Sequence, residues 1–175
     1  DRQATLRAAM DWSWDLLDPW EQSTMAQLSV FSGGFTADAA EGIVDLSEHP
    51  DAPWTLDVIQ ALSDKSLIRS TASPEFPGEL RLGLYETIRE YAAEKLEESG
   101  RRRATRERHR DWFLDTCGRW AANVGGRKSV HLRKLLALER ENLVAILHRA
   151  QQDAIEATTP EAKREANGKA LRAIL

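Results

Sequence analysis

The sequence predicts a mainly α-helical chain with one small β-hairpin, and two observations predict it. Apolar residues recur at three- and four-residue intervals through most of the 175 residues. One short stretch switches to strict alternation around a turn-rich tip. Charge also separates along the chain: residues 1–100 carry 19 acids against 7 bases (−12), and residues 101–175 carry 9 acids against 17 bases (+8), within a net −4. That split predicts two units, residues 1–100 and residues 101–175, with different surfaces that face each other or face different partners.

Hydrophobic content of 42% and charged content of 30% exclude a disordered or collagen-like chain. No apolar run approaches the ~18–20 residues that span a bilayer, and Asp1–Asp11 lacks the shape of a signal peptide. A soluble, cytoplasmic protein without membrane contact is therefore expected. The chain starts without methionine and stops within a helical pattern, as a piece of a larger protein would.

The elements follow in order. Leu6, Met10, Ser13 or Trp14, and Leu17 define a buried stripe on a first helix over Thr5–Leu17. Asp18-Pro19 ends it and opens a second helix to about Ser29, with Asp18 as cap and Pro19 at the first helical position. Val30-Phe31 leads into Gly33-Gly34, a tight turn. Thr36 caps a third helix ending near Leu46, and Ser47–Pro53 is a loop. Thr55 caps a fourth, with Leu56, Ile59, Leu62 and Leu67 inward and Asp57, Gln60 and Asp64 outward.

Leu67–Thr71 and Leu80–Leu84 alternate around Ser73–Gly78 and predict the hairpin. Helical period returns over Tyr85–Ser99, buries Ile88, Tyr91, Ala92 and Leu96, and stops at Gly100. An arginine-rich helix then buries Phe113, Cys117, Trp120 and Val124 up to Gly125-Gly126. Leu132, Leu135, Leu136, Leu143, Ile146 and Leu147 predict the next helix, and Thr159-Pro160 a last one. From Pro19 to Leu84 the order is that of a winged helix, with an extra helix on each side; the second half reads as an antiparallel helical array.

Chemistry is sparse. No phosphate-binding loop of the form Gly-x-x-x-x-Gly-Lys-Ser/Thr occurs, and His49, His109, His131 and His148 are scattered, without metal-ligand spacing. Cys117 lies on an apolar helix face where burial keeps a thiol inert, and no nucleophile elbow exists. Neither an enzyme nor a metal site is expected.

DNA binding is the sharper alternative, since many winged helices place a helix in the major groove. Over Thr55–Leu84, however, three bases (Lys65, Arg69, Arg81) meet four acids (Asp57, Asp64, Glu75, Glu79), a surface that repels phosphate. The cluster Arg101, Arg102, Arg103, Arg106, Arg108 and Arg110 is open to several readings: a solvated face paired with neighbouring acids, a contact with the acidic first half, an acidic partner, or nucleic acid. Most of the six tryptophans are expected to anchor helix seams.

Four separated strings carry a resemblance: Thr5–Leu17 (TLRAAMDWSWDLL), Leu28–Thr36 (LSVFSGGFT), Leu62–Ile68 (LSDKSLI) and Tyr85–Ala92 (YETIREYA). They resemble the winged-helix segment of bacterial STAND-class signalling ATPases, including LuxR-type and antibiotic-regulator-type transcriptional regulators and kinase or cyclase fusions. Arg108–Phe113 and Leu138–Leu143 resemble the start of the tetratricopeptide-like region that follows it. The resemblance implies a relay between nucleotide state and sensor or effector domains. It implies no cofactor in this segment, ATP or ADP in a neighbouring nucleotide-binding domain, and other domains of the same parent chain as partners. It also implies that Leu84, Tyr85 and Glu86 stand where related members carry a nucleotide-sensing Met-His-Asp; tyrosine replaces the histidine, which leaves Tyr85 and Glu86 as candidate nucleotide-sensing residues. The alternatives are a DNA-binding winged-helix regulator and an interaction scaffold without nucleotide coupling.

Overall fold

The computed structural model describes residues 2–73, 76–124, 129–156 and 168. The elements are α1 (Arg2–Asp15), α2 (Pro19–Leu28), α3 (Ala37–Ile43), α4 (Thr55–Asp64), β1 (Ile68–Ser73), β2 (Phe76–Leu84), α5 (Glu86–Glu98), α6 (Arg102–Ala122), α7 (Ser129–Leu138) and α8 (Arg140–Glu156). The chain is thus mainly helical, with one antiparallel hairpin. It divides into two compact units, Asp1–His109 and Arg110–Leu175. That division falls inside α6, whereas the change of charge begins at Gly100.

In the first unit three helices enclose an apolar core with the hairpin beside it. Leu28, Phe31, Phe35, Ile43, Val58 and Leu62 are buried, and the Phe31 and Phe35 rings stack at 4.6 Å. Strands pair from Ile68↔Leu84 to Ala72↔Leu80, and a bulge after Ala72 brings Ser73 opposite Phe76. Strand β2 starts within the expected turn-rich tip because Phe76 is buried; Pro74 and Glu75 lie outside the described residues. Phe35 exchanges both backbone hydrogen bonds with Leu82 at 2.8 Å, adding a one-residue third strand to the hairpin.

The Gly33-Gly34 turn makes that exchange possible. Both glycines have positive φ, and a Cβ on Gly34 would lie 2.7 Å from the Leu82 carbonyl oxygen. The Arg81 guanidinium holds the turn by donating to the carbonyls of Gly33 and Gly34, each at 3.1 Å.

Several boundaries differ from the sequence expectation, each for a local reason. Helix α3 ends at Ile43, short of Leu46, because the Gln27 side-chain amide accepts the Asp45 N–H (2.9 Å) and donates to the Asp45 carbonyl (2.8 Å), replacing the helical ladder there. Trp54, not Thr55, occupies the cap of α4, and its carbonyl accepts from Asp57 and Val58. Helix α4 closes with the Ser66 N–H on the Ser63 carbonyl and the Leu67 N–H on the Leu62 carbonyl, which puts the non-glycine Ser66 at φ 59°. Gly100, at φ 71°, ends α5 as the sequence predicts.

The stripe expected on α1 is only partly buried: Leu17 is buried, Met10 and Trp14 half-buried, and Leu6 exposed. Helix α1 is tied to α5 chiefly by polar contacts instead. The Tyr91 hydroxyl donates to Asp11 (2.7 Å), Arg7 pairs with Glu94 (2.7 Å), and Trp14 meets the Tyr91 ring edge-on. Burial and the bond to Asp11 push the Tyr91 phenol well above its usual range. None of the six tryptophans is fully buried: Trp14, Trp20, Trp112 and Trp120 are half-buried, with Trp14 at the seam of α1 and α5, whereas Trp12 and Trp54 are exposed.

In the second unit Phe113, Cys117, Ile146 and Ala150 are buried; Trp120 and Val124 are half-buried. The leucine-rich stretch expected as one helix is two, α7 and α8, separated at Glu139. Its carbonyl accepts from the Leu143 N–H, and its buried carboxylate accepts from Asn142 at 2.8 Å, which starts α8 afresh. The expected Gly125-Gly126 break and the helix at Thr159-Pro160 lie outside the described residues.

Gly34→Ala is expected to cost about 2 kcal/mol or more, combining a left-handed φ with a backbone clash. Ser66→Gly, which relieves the same kind of φ without a clash, is expected to gain roughly 0.5–1 kcal/mol. Urea denaturation of both variants checks the opposite signs.

Candidate functional site

Helices α3 and α4 with the hairpin present the surface that a winged helix uses to engage a partner. On α4, Val58, Ile59 and Leu62 turn inward, while Asp57, Gln60 and Asp64 are exposed and Gln60 donates to Asp64 at 2.8 Å. The three bases of this region are engaged within the fold. Lys65 reaches the buried Glu21 carboxylate (2.6 Å), which also accepts the Asp18 N–H at the start of α2 (2.9 Å). Arg81 holds the Gly33-Gly34 turn, and Arg69 lies 5.9 Å from the centroid of the Tyr85 ring.

The surrounding sequence sharpens this. Between Arg7 and Lys65 there is no lysine or arginine at all, against eleven acids. All three helices of the module fall in that stretch, a signal that block-by-block charge counting averages away.

Tyr85 and Glu86, the candidate nucleotide-sensing pair, sit at the start of α5. Tyr85 is its cap residue and is half exposed, 51%, beneath Arg69. Glu86 is engaged by Arg89, whose Nε donates at 3.1 Å, and this hydrogen bond holds the Glu86 carboxyl below its ordinary range. The structure places the pair next to each other at an exposed joint between wing and helix.

The six arginines separate into two groups. Arg102 pairs with Glu97, Arg103 with Glu107 (3.2 Å) and Arg110 with Asp111 (2.8 Å), all local contacts; Arg106 is half-buried on the same helix. Arg101 and Arg108 reach farther. Arg101 donates to the Asp45 carboxylate (3.1 Å), to the Asp45 carbonyl (3.2 Å) and to Glu48 (3.2 Å). Arg108 donates to the Ile43 carbonyl and to the Gln27 Oε1, both at 2.8 Å.

Gln27, 1% exposed, is the centre of this junction and was not singled out from sequence. The available signal was a lone amide within the run Met25-Ala26-Gln27-Leu28. Hydrogen bonds from Ser47, with smaller help from Arg108 and Arg101, hold the Asp45 carboxyl below its usual value; burial lowers the Arg108 pKa.

Cys117 is buried and its thiol is pushed up to about 12 by desolvation, away from nucleophilic chemistry. Among the described residues no group of three or more His, Cys, Asp or Glu side chains is arranged to hold a metal ion. None of the described helices is long and apolar enough to cross a membrane.

Comparison with known proteins agrees with this architecture: residues 17–97 match the family model of the winged helix-turn-helix domain. Residues 17–97 are similar to that family and have the winged-helix fold. Over 112 residues, 64% of the chain, it is 40% identical to the "Putative HTH-type transcriptional regulator Rv0890c" of Mycobacterium tuberculosis and to its counterpart Mb0914c of Mycobacterium bovis. It is also 33% identical over 108 residues to the "Uncharacterized protein Rv0894" of M. tuberculosis, covering 62% of the chain and 27% of that protein. The match spans only 12% of the length of the two named regulators. No solved structure matches. The family match starts at Leu17 and ends at Glu97, so α1 and the arginines Arg101 and Arg108 lie outside the matched stretch, whereas their partners Gln27, Ile43 and Asp45 lie within it.

Gln27→Ala strips partners from Asp45 and Arg108 together and is expected to cost about 1–3 kcal/mol in urea denaturation. Asp45 has a lowered folded pKa, so its contribution is present above the unfolded value of about 3.9 and is lost as pH falls through the folded one. Asp45→Asn is therefore expected to be less stable than wild type at neutral pH and to lose less stability on acidification from about pH 5 to pH 2. Denaturation midpoints across that range check the slope.

Proposed function

We propose that this chain is a non-catalytic segment of a larger bacterial transcription regulator, and that its winged helix relays a state change by docking on protein. The regulator context rests on the domain match and on the names of the relatives. The relay rests on one observation: the winged helix carries no lysine or arginine before Lys65, and Lys65, Arg69 and Arg81 each make contacts within the fold. Phosphate neutralisation supplies most nonspecific DNA affinity, and this face offers little of it.

A relay needs two docked arrangements of similar energy, one of which a ligand elsewhere in the parent chain favours. A STAND-type ATPase domain holding ATP or ADP, as the sequence resemblance implies, is the kind of neighbour that supplies such a bias. In that arrangement Tyr85 and Glu86, at the exposed joint between wing and α5, are the residues that face the nucleotide-binding domain. Cytoplasmic placement follows from the same role.

The second reading is a DNA-binding regulator, and the names of the relatives favour it. The same preparation separates the two. The relay reading expects no submillimolar ATP or ADP binding by this chain in isothermal titration, and no duplex binding by fluorescence anisotropy at about 50 mM salt. Duplex binding that falls steeply with salt, and that Lys65→Gln with Arg69→Gln abolishes, establishes the DNA reader and overturns the relay.

A further inference from the structure

The first turns of α6 are fastened to the winged helix by a different kind of contact from the rest of the first unit. Helices α2, α3 and α4 share an apolar core, whereas over residues 101–109 only Thr105 and His109 are buried. The reach to α2, to the end of α3 and to its following loop is made by the half-buried Arg101 and Arg108. These bonds come apart without stranding Gln27 or Asp45. With Arg108 gone, the Gln27 Oε1 keeps the Asp45 N–H, and its Nε2 keeps the Asp45 carbonyl and Ser23. The half-buried Asp45 carboxylate keeps the Ser47 N–H at 3.0 Å and gains water in place of the guanidinium groups. Thr105 donates to the Arg101 carbonyl of its own stretch (3.0 Å) and leaves with it. The ring contact that is lost is that of His109, edge-on to Phe31 at 5.2 Å, while Phe31 keeps its stack on Phe35. The Lys65–Glu21 pair inside the module is the opposite case, since its carboxylate is buried and opening it leaves a charge away from water.

We infer that residues 101–109 form a clasp that releases from the end of α3 and from the loop at Asp45 and Glu48 as one piece, while the winged helix stays folded. Closed, Arg101 and Arg108 hold α6 against the module. Open, they are available to an acidic partner surface, which favours the open state by the ion pairs it makes there. The residues within the family match hold the acceptors and those beyond it hold both arginines, so the fastening is added to the winged helix rather than part of its core. The helix it fastens is the one that runs on past the first unit, to Ala122. The inference deepens the relay reading and rests on it for the use of the clasp, since a relay needs two arrangements of similar energy and the clasp supplies them.

His109 is the native reporter, because it is fully buried while His49 is half-buried and His131 and His148 are exposed. The full chain is treated with diethyl pyrocarbonate, which acylates an accessible imidazole, and each site is followed by peptide mass spectrometry at urea concentrations below the unfolding transition. Local release exposes little surface, so the acylation rate of His109 is expected to depend on urea far more weakly than global unfolding does. It is also expected to rise about three-fold between about 50 and 500 mM salt. Arg101→Gln/Arg108→Gln is expected to raise it about ten-fold, with the α2 and α4 amides keeping their hydrogen-exchange protection. Arg102→Gln/Arg103→Gln removes the same charge from the same turns and is expected to leave His109 unchanged. A His109 rate with the full urea dependence of unfolding overturns the clasp, and so does an equal rise in both double variants. The wild-type urea series decides this even where a variant fails to fold. Duplex binding, by contrast, overturns the relay and leaves the clasp standing.

Discussion

The first unit depends on a buried amide. Gln27 sits in α2 at 1% exposure, where an unsatisfied side-chain amide is expensive, and three separate stretches of chain satisfy it. The Asp45 backbone closes on it from the end of α3, Ser23 from one turn earlier in α2, and Arg108 from α6. Each partner needs the others. Arg108 is desolvated and requires the Ile43 carbonyl and Gln27 as acceptors, and Asp45 gives up helical bonding because Gln27 replaces it. The junction therefore sets where α3 stops and ties the first turns of α6 to α2.

This explains why the first turns of an arginine-rich helix belong with an acidic module. The charge step at Gly100 is real, but the compact unit runs past it to His109, because Arg101, Thr105 and Arg108 complete the first unit. Part of the contrast between −12 and +8 is consumed there by Asp45 and Glu48. The rest is mostly local: Arg102, Arg103 and Arg110 pair with acids on their own or the preceding helix. Within the first unit, Asp57 and Asp64 of the helix-turn-helix are exposed and have no ion pair among the described residues.

Much of the fold was legible in the sequence because strong local signals agree with the tertiary outcome. Asp18-Pro19, Thr36, Gly33-Gly34 and Gly100 each act through backbone chemistry that no distant contact has to supply. The failures came where tertiary contacts decide. Nothing local ends α3 at Ile43, since the terminator is a side chain of α2. Leucine period runs unbroken across Glu139, and only the buried carboxylate with Asn142 divides it. Two of the six tryptophans, Trp12 and Trp54, are exposed where their size suggests burial. For the candidate site, the positions of Tyr85 and Glu86 followed from sequence, whereas the engagement of Lys65, Arg69 and Arg81 is a matter of three-dimensional neighbours.

The single cysteine, inert as chemistry, has a practical consequence. Cys117 belongs to the second unit and the first contains no thiol, so an alkylating reagent meets nothing in this folded chain until the segment around Cys117 opens. The rate of labelling is then a clock for that opening alone, read from the natural sequence without any engineered reporter.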